Sequence, residues 1–268
     1  MSWIFLSKSK KDEYINMFAK GCQTKVTDPD EFNYDASSPR PIILRGILKK
    51  KIIQRCWKEG RTFYYMDTGY FGNHATSSNP HGWKIYHRIV KNNLQHNEIK
   101  DRPVDRWQKL NIPIKPWKKG GSKILIAAPD EKPCKFYGID KDTWVEQTIT
   151  QLKDYTDRPV IVRDRAKSRL QREVHDTLKS ALSDDVFALV TYNSVAATES
   201  VLFGVPAFVL APSNAALPVS RSDLSFIEDP YYPDDDIRHK WACHLSYGQF
   251  HISEIKSGTA KKMLEDYE

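Results

Sequence analysis

The second half of the chain alternates short apolar runs with longer amphipathic segments. The apolar runs are residues 123–128, 159–162, 187–190 and 207–210. The segments between them are predicted helices, over residues 142–155, 168–182 and 195–203. Strands this apolar, alternating with helices, are typical of a parallel sheet that is covered on both faces. Such sheets bind ligands at the carboxyl ends of their strands.

The first half shows the same alternation less regularly. Its predicted strands are residues 3–6, 41–44 and 62–66, and its predicted helices are residues 10–20 and 48–57. Beyond the turn at Asp67–Gly69, the pattern gives way to a loop rich in Gly, Asn, Ser and Thr over residues 70–79.

A stretch rich in proline, glycine and lysine separates the two halves. It contains Pro103, Pro113 and Pro116, followed by the Lys-Lys-Gly-Gly run at 118–121. This composition is typical of a connection between domains, and we predict the boundary near residue 118. The sequence therefore predicts an α/β protein with two Rossmann-like domains, 1–118 and 119–268, that face a cleft.

The composition narrows the class of protein. Of 268 residues, 40% are hydrophobic and 28% are charged, as in globular proteins. No apolar run approaches the ~20 residues of a membrane span, and the first seven residues are too few for a signal-peptide core. The four cysteines are scattered without a CxxC pair, which favours a reducing compartment and argues against a zinc site. We therefore expect a cytoplasmic protein with no membrane span and no bound metal.

The stretch from 189 to 206 carries the most informative chemistry. After an apolar strand, Asn193 or Ser194 stands where the N-cap of the next helix is expected. Val195 and the two alanines after it are small, so a phosphate can approach the free N–H groups and the positive dipole at the helix start. Glu199, one turn further on, can accept both hydrogen bonds of a ribose diol. The alternative is an ordinary strand–helix–strand unit with Glu199 in solvent.

Gly204 is expected to end this helix, and Pro206 to precede the next strand. With Glu199 upstream, this Gly-x-Pro pattern resembles the donor-binding stretch of glycosyltransferases with the two-domain GT-B architecture. It is most similar to capsule-polysaccharide glycosyltransferases, whose Ser/Thr/Asn cluster at the strand end resembles residues 191–194. The stretch through residue 250 is also similar to glycosyltransferase-like proteins of tailed bacteriophages.

This resemblance, over roughly residues 155–250, implies a glycosyltransferase of the hexosyltransferase type. It implies that Ser194 contacts the donor phosphate and Glu199 the ribose, and we include Asn193 and Val195 in the donor site. The resembled fold generally binds its donor without an essential metal, so a UDP-sugar or a similar co-substrate is expected and no cofactor is required. The chain end of such enzymes commonly returns to the N-terminal domain, and the predicted helix at 260–267 is a candidate for that position.

A basic cluster directly follows the predicted buried strand at 159–162. Arg163, Arg165 and Lys167 form it. Cations at the carboxyl end of a strand can clamp a diphosphate and stabilise it as it leaves. Arg163 is the first candidate, because it lies nearest the strand end. Members of the resembled family often have His-Pro in this loop, which is absent here, and the alternative is a solvated basic turn.

Asp67 is the candidate catalytic base on the acceptor side, which we assign to the N-terminal half. It ends a predicted strand beside a Thr-Gly turn that would leave its carboxylate exposed, and an inverting transfer needs a base for the hydroxyl proton. The alternative is that Asp67 only caps the turn. The rival bases in the following loop are His74, His81 and His87.

Aromatic and basic residues interleave after Asp67, a pattern that can stack bases or sugars and hold phosphates. The candidate acceptor-binding or nucleic-acid-binding residues are Tyr70, Phe71, Lys84, Arg88, Lys118 and Lys119. The formal net charge of +7 favours polyanionic partners. The alternative is a set of core aromatics beside a solvated charged rim.

The positive charge and the resemblance to phage proteins together favour a hydroxymethylated pyrimidine in phage DNA as the acceptor. The enzyme would reach this base by extruding its nucleotide from the duplex. Its location would then be the cytoplasm of the infected bacterium. A second hypothesis keeps the transferase and makes the acceptor a surface polysaccharide or a lipid-linked glycan. A third is a non-catalytic nucleic-acid-binding protein on a GT-B-like scaffold, for which no standard DNA-reading motif is present.

Overall fold

The described residues form two sheets. The computed structural model describes residues 2–7, 12–47, 50–73, 85–164 and 177–267. These residues divide into two compact units. The first unit contains the described residues up to Asn73, those from 85 to Leu94, and those from Gly248 onward. The second contains those from Gln95 to Tyr247, including the predicted connection at 102–122.

The strands and helices of the described residues are numbered in chain order. The strands are β1 Ile4–Leu6, β2 Val26–Thr27, β3 Ile42–Arg45, β4 Phe63–Thr68, β5 Tyr86–Lys91, β6 Lys123–Ala127, β7 Val160–Arg163, β8 Val186–Thr191, β9 Ala207–Val209 and β10 Gln249–His251. The helices are α1 Glu13–Gly21, α2 Lys50–Glu59, α3 Asp105–Leu110, α4 Glu131–Tyr137, α5 Lys141–Lys153, α6 Leu178–Ser183, α7 Ala196–Phe203, α8 Asp235–Tyr247, α9 Ile252–Ser257 and α10 Thr259–Tyr267.

The first unit is built on a sheet of six described strands in the order β10-β5-β4-β3-β1-β2. β1 to β4 are parallel, whereas β5 pairs antiparallel with both β4 and β10. Residues from α1, α9 and α10 join the strands in one core, which includes Trp3, Phe5, Phe18, Phe250 and Leu264. Each large apolar side chain buried there contributes roughly 1.5–3 kcal/mol of hydrophobic stabilisation.

The hydrophobic pattern does not predict β5. This strand carries His87 and Arg88 in its middle, and both side chains are buried. A strand whose buried positions include charged and polar groups lacks the apolar run that marks β3 and β4. Only its pairing with β4 and β10 reveals it as part of the sheet.

The second unit has a sheet of four described strands, all parallel, in the order β7-β6-β8-β9. β8 is buried along its whole length. The core around it includes Ile124, Ile126, Trp144, Phe187 and Phe208. The prediction of an α/β chain with two Rossmann-like units is therefore confirmed.

One strand of the second unit differs from its prediction. The run at 159–162 forms β7, but the prediction that it is buried is wrong, because Ile161 is 47% exposed and Val162 is 39% exposed. Among the described strands β7 lies at the edge of the sheet, and an edge strand has a pairing neighbour on one side only. Most of the helix predicted at 168–182 lies outside the described residues.

Candidate functional site

The strand registers of the second unit place the predicted donor-site segments at one edge of its sheet. Arg163 of β7 is level with Ala127 of β6, and Ala127 is level with Thr191 of β8. Since neighbouring strands lie ~4.8 Å apart, the backbones of Arg163 and Thr191 are separated by about 10 Å. This is the carboxyl edge, where parallel sheets bind ligands.

A short connection links β8 to α7 at this edge. The Thr191 hydroxyl donates to the carbonyl oxygen of Ala127 over 2.8 Å, which ties the end of β8 to β6. The N-cap position of α7 is Val195, one or two residues later than predicted. Ser194 still contributes to the helix start, because its Oγ accepts from the Ala196 amide over 3.2 Å and its carbonyl accepts from the Ala197 amide.

Two consecutive backbone amides stand at this helix start. Within the described residues, the N–H groups of Ser194 and Val195 donate to no acceptor. Both residues are half-buried rather than enclosed. Successive free amides at the positive end of a helix dipole attract anions, phosphate among them.

Two side-chain amides that the sequence does not single out, those of Gln95 and Asn214, bond the backbone carbonyls of this connection. Gln95 donates from Nε2 to the Asn193 carbonyl over 2.9 Å, and Asn214 donates from Nδ2 to the Ser194 carbonyl over 3.1 Å. Gln95 is 4% exposed and Asn214 is fully buried. No motif marks either residue, and both are distant in sequence from the connection, so the sequence carries no signal that could have found them.

Glu199 and Gly204 lie where the sequence predicts. Glu199 is exposed in the first turn of α7. Gly204 ends the helix in the left-handed conformation, with φ +83°. A Cβ at Gly204 would lie 2.1 Å from the Pro116 carbonyl oxygen, so close approach of the 115–118 segment also requires glycine here.

The basic cluster after β7 is only partly described. Arg163 is the last residue of β7 and is half-buried. Asp164 follows it and pairs with Lys141 at the start of α5 over 2.5 Å. Arg165 and Lys167 lie outside the described residues, as do Lys84, His74 and His81.

Asp67, the candidate base, lies in β4 of the first unit. Its carboxylate accepts from the Tyr65 hydroxyl over 2.7 Å, the Thr68 amide over 2.8 Å and Arg88 Nη2 over 3.4 Å. Burial favours the protonated form, but the Arg88 charge and these hydrogen bonds outweigh burial, so the pKa of Asp67 is lowered. A lowered pKa weakens a carboxylate as a base.

Three of the predicted acceptor-binding residues lie in the interior of the first unit. Arg88 donates to the carbonyl oxygens of Thr68 and Leu94 as well as to Asp67. Tyr70 and Phe71 are buried, and their backbone amides both donate to Gln249 Oε1, over 2.7 and 2.9 Å. His87, the described rival base, is also fully buried.

The two lysines of the predicted connection have different surroundings. The Lys118 ammonium donates to the Leu182 carbonyl over 2.9 Å and lies 4.5 Å from the centre of the Phe203 ring. Burial and the neighbouring Lys115 charge lower the pKa of Lys118. Lys119 is exposed.

The described ranges contain no metal-binding cluster and no membrane-spanning helix. No group of three or more His, Cys, Asp or Glu side chains there is arranged to hold a metal ion. Asp235 and Asp236 pair with Arg238 and Lys240, over 2.6 and 3.0 Å. In the same ranges, no helix combines the length and apolar character needed to cross a membrane.

A solved structure shares the fold of this protein. No protein-family model and no curated protein matches this sequence. Among solved structures, the KpsC β-Kdo 2,4 transferase of Thermosulfurimonas dismutans matches 91% of this chain and 90% of its own, with a TM-score of 0.51 at 11% identity. The KpsC β-Kdo 2,7 transferase of that organism matches 98% of this chain and 100% of its own at 9% identity, but its TM-score of 0.45 is too low to bear on the fold. The first match shows a shared α/β fold of the GT-B type.

Proposed function

We propose that the protein is a glycosyltransferase that takes a sugar from a nucleotide-sugar, and that the second unit holds the donor. The observation that carries the proposal is the pair of unbonded amides at Ser194 and Val195, with the exposed carboxylate of Glu199 one turn further on. A phosphate-binding helix start and a ribose-binding carboxylate therefore lie on one helix. The fold shared with a Kdo transferase supports this class of activity.

Each donor-site residue has a distinct role in the proposal. The Ser194 and Val195 amides bind the donor phosphate, and Asn193 borders them. Glu199 accepts hydrogen bonds from the ribose hydroxyls. Arg163, at the same edge of the sheet, supplies a positive charge to the diphosphate of a UDP-sugar. Arg165 and Lys167 are further candidate cations beyond the described residues.

The proposed reaction joins the acceptor oxygen to the anomeric carbon of the sugar. The bond from that carbon to the donor phosphate oxygen breaks, and the leaving nucleotide keeps the electron pair. Amides and an arginine aimed at that developing charge lower the barrier. The hydroxyl proton of the acceptor passes to a base. Asp67 is the candidate because it lies near the end of β4 beside the Thr-Gly turn, although its lowered pKa makes it a weak base.

The proposed acceptor is a 5-hydroxymethylpyrimidine in DNA, which presents a primary hydroxyl on a polyanion suited to a chain of net charge +7. A glycan is the second candidate, and the fold shared with a Kdo transferase favours it. Binding measured as a function of salt concentration distinguishes the DNA acceptor from the glycan acceptor, because the affinity for DNA falls steeply with salt through counterion release.

A nucleotide panel followed by a transfer assay tests the proposal. UDP, CMP, ADP and GDP are compared by thermal shift, and we expect one to stabilise the protein, by ~2.7 kcal/mol at one hundred times its Kd. The corresponding nucleotide-sugars are then incubated with hydroxymethylated DNA, unmodified DNA and a glycan acceptor. Transfer to hydroxymethylated DNA alone supports the DNA acceptor, and transfer to the glycan alone replaces it.

Two outcomes contradict the proposal. If none of the four nucleotides stabilises the protein, the second unit is not a nucleotide-sugar site of this kind. DNA binding without nucleotide binding would instead support a non-catalytic nucleic-acid-binding protein.

A further inference from the structure

Gln95 and Asn214 make the same pattern of hydrogen bonds between the β8–α7 connection and the loop after β9. Each carboxamide donates to one carbonyl of that connection and accepts from one amide of the loop after β9. Gln95 Oε1 accepts from the Ala215 amide over 3.1 Å, and Asn214 Oδ1 accepts from the Ala216 amide over 2.8 Å. The Trp241 indole N–H donates to the Ala215 carbonyl over 2.6 Å, which fixes this loop to α8.

These bonds set the direction of the two free amides. In a trans peptide the C=O and the following N–H point in opposite directions. Gln95 holds the Asn193 carbonyl, so it fixes the Ser194 N–H on the opposite side of that peptide. Asn214 holds the Ser194 carbonyl and fixes the Val195 N–H in the same way. The two carboxamides thus turn two carbonyl oxygens away from the place where the amides could meet an anion.

The orientation of each carboxamide is itself determined. Its oxygen meets a backbone N–H and its nitrogen meets a backbone C=O, so a reversed amide would face like with like at both ends. Both side chains are at least nine-tenths buried, and water cannot readily replace a lost partner there.

We propose that Gln95 and Asn214 are positioning residues for the donor phosphate, acting through the Ser194 and Val195 amides. This inference rests on the proposed function, and it adds two residues that contact no ligand themselves. It predicts that their loss weakens binding of the phosphate and leaves binding of the nucleoside portion unchanged.

The test compares Gln95→Met with Ser200→Ala. Methionine keeps the length of glutamine without its polar atoms. Ser200 lies in the same helix, and its hydroxyl donates to the Val205 carbonyl over 2.9 Å. Ser200→Ala therefore also removes a buried hydrogen bond, but one at the C-terminal end of the helix. Binding of UDP, CMP, uridine and cytidine is measured by calorimetry for wild type and both variants, with thermal unfolding as a check on the fold.

For Gln95→Met we expect the nucleotide Kd to rise about tenfold, as when one hydrogen bond to a charged group is misdirected, with the nucleoside Kd unchanged. Ser200→Ala should change neither. An unchanged nucleotide Kd in Gln95→Met overturns the inference, and so does an equal loss of nucleotide and nucleoside affinity. If wild type binds none of UDP, CMP, ADP and GDP, the proposed function fails and this inference fails with it.

A second variant keeps the inference testable if Gln95→Met does not fold. Gln95→Glu keeps an acceptor for the Ala215 amide, but its ionised carboxylate faces the Asn193 carbonyl with no proton to donate. Protonation restores that donor, so nucleotide affinity relative to wild type should recover as the pH falls. A constant ratio of the two Kd values across pH contradicts the inference.

Discussion

The two units use polar side chains at their strand ends in opposite ways. In the first unit, Gln249 accepts from two consecutive backbone amides, those of Tyr70 and Phe71, and leaves neither available. In the second, Gln95 and Asn214 bond two consecutive carbonyls and leave the amides of Ser194 and Val195 unbonded within the described residues.

The charged residues differ in exposure. Arg88 is buried and donates to the Asp67 carboxylate, whereas Glu199 is exposed on α7. Polar groups that satisfy each other stabilise a fold, and polar groups left with spare hydrogen-bonding capacity at an accessible edge can bind a ligand. Residue type alone does not distinguish these two roles. The same side-chain amide can accept from backbone N–H groups, and so occupy them, or donate to backbone carbonyls and leave the N–H groups unbonded.

Gly204→Ala should give the largest effect, since it strains the helix that carries the free amides. We expect a loss of about 2–5 kcal/mol, from the left-handed backbone and from the clash with the Pro116 carbonyl. Gly138→Ala is the control: Gly138 also ends a helix at φ +72°, but nothing lies near its added Cβ. Chemical denaturation of both variants measures the difference, and equal losses would mean that the 115–118 segment moves freely.

His244 should make the second unit sensitive to acid. It is 1% exposed, neither ring nitrogen has a hydrogen-bond partner within the described residues, and burial together with Arg102 lowers its pKa to about 4. Below the ordinary value of ~6.5 the unfolded chain gains a proton that the folded chain does not, so stability falls by roughly 3 kcal/mol between pH 6.5 and 4. Glu98 and Lys100 are the other charged groups that affect it.

Urea unfolding of His244→Phe from pH 7 to 4 checks this. The variant should lose less stability than wild type over that interval. The control is His239→Phe on the same helix, which keeps His244 and should therefore lose more stability between pH 7 and 4 than His244→Phe does. Parallel curves for wild type and His244→Phe would show that His244 does not carry the effect.

Asp67→Asn tests the ion pair between Asp67 and Arg88 in the first unit. Removing the charge beside Arg88, whose side chain is 9% exposed, should cost about 1–3 kcal/mol at neutral pH. Because the folded pKa of Asp67 is lowered, its stabilisation is complete above ~3.9 and is lost as the pH falls through the folded value. The gap between wild type and variant should therefore close only in strong acid, and the exposed Asp142→Asn should show no such gap.

Glu199→Gln tests the proposed donor site of the second unit, and we expect the smallest of the four effects from it. We expect the Kd of the stabilising nucleotide to rise about tenfold, through loss of charge-assisted hydrogen bonds to the ribose. The free energy of unfolding should change by less than ~1 kcal/mol, because Glu199 is exposed. Glu146→Gln on α5, also exposed, is the matched control. Full nucleotide affinity in Glu199→Gln would remove the carboxylate from the site.

The sequence by itself determined the features that depend on neighbours along the chain. The apolar run of β8, the helix with Glu199 in its first turn and the closing Gly204 are local, so spacing and residue type predict them. The tertiary structure alone decided which polar groups are satisfied. Arg88 reaches Asp67 only because β4 and β5 pair antiparallel, and Gln95 reaches the Asn193 carbonyl across 98 positions of sequence. Hydrogen-bond partners that distant are set by how the chain packs, and local spacing carries no record of them.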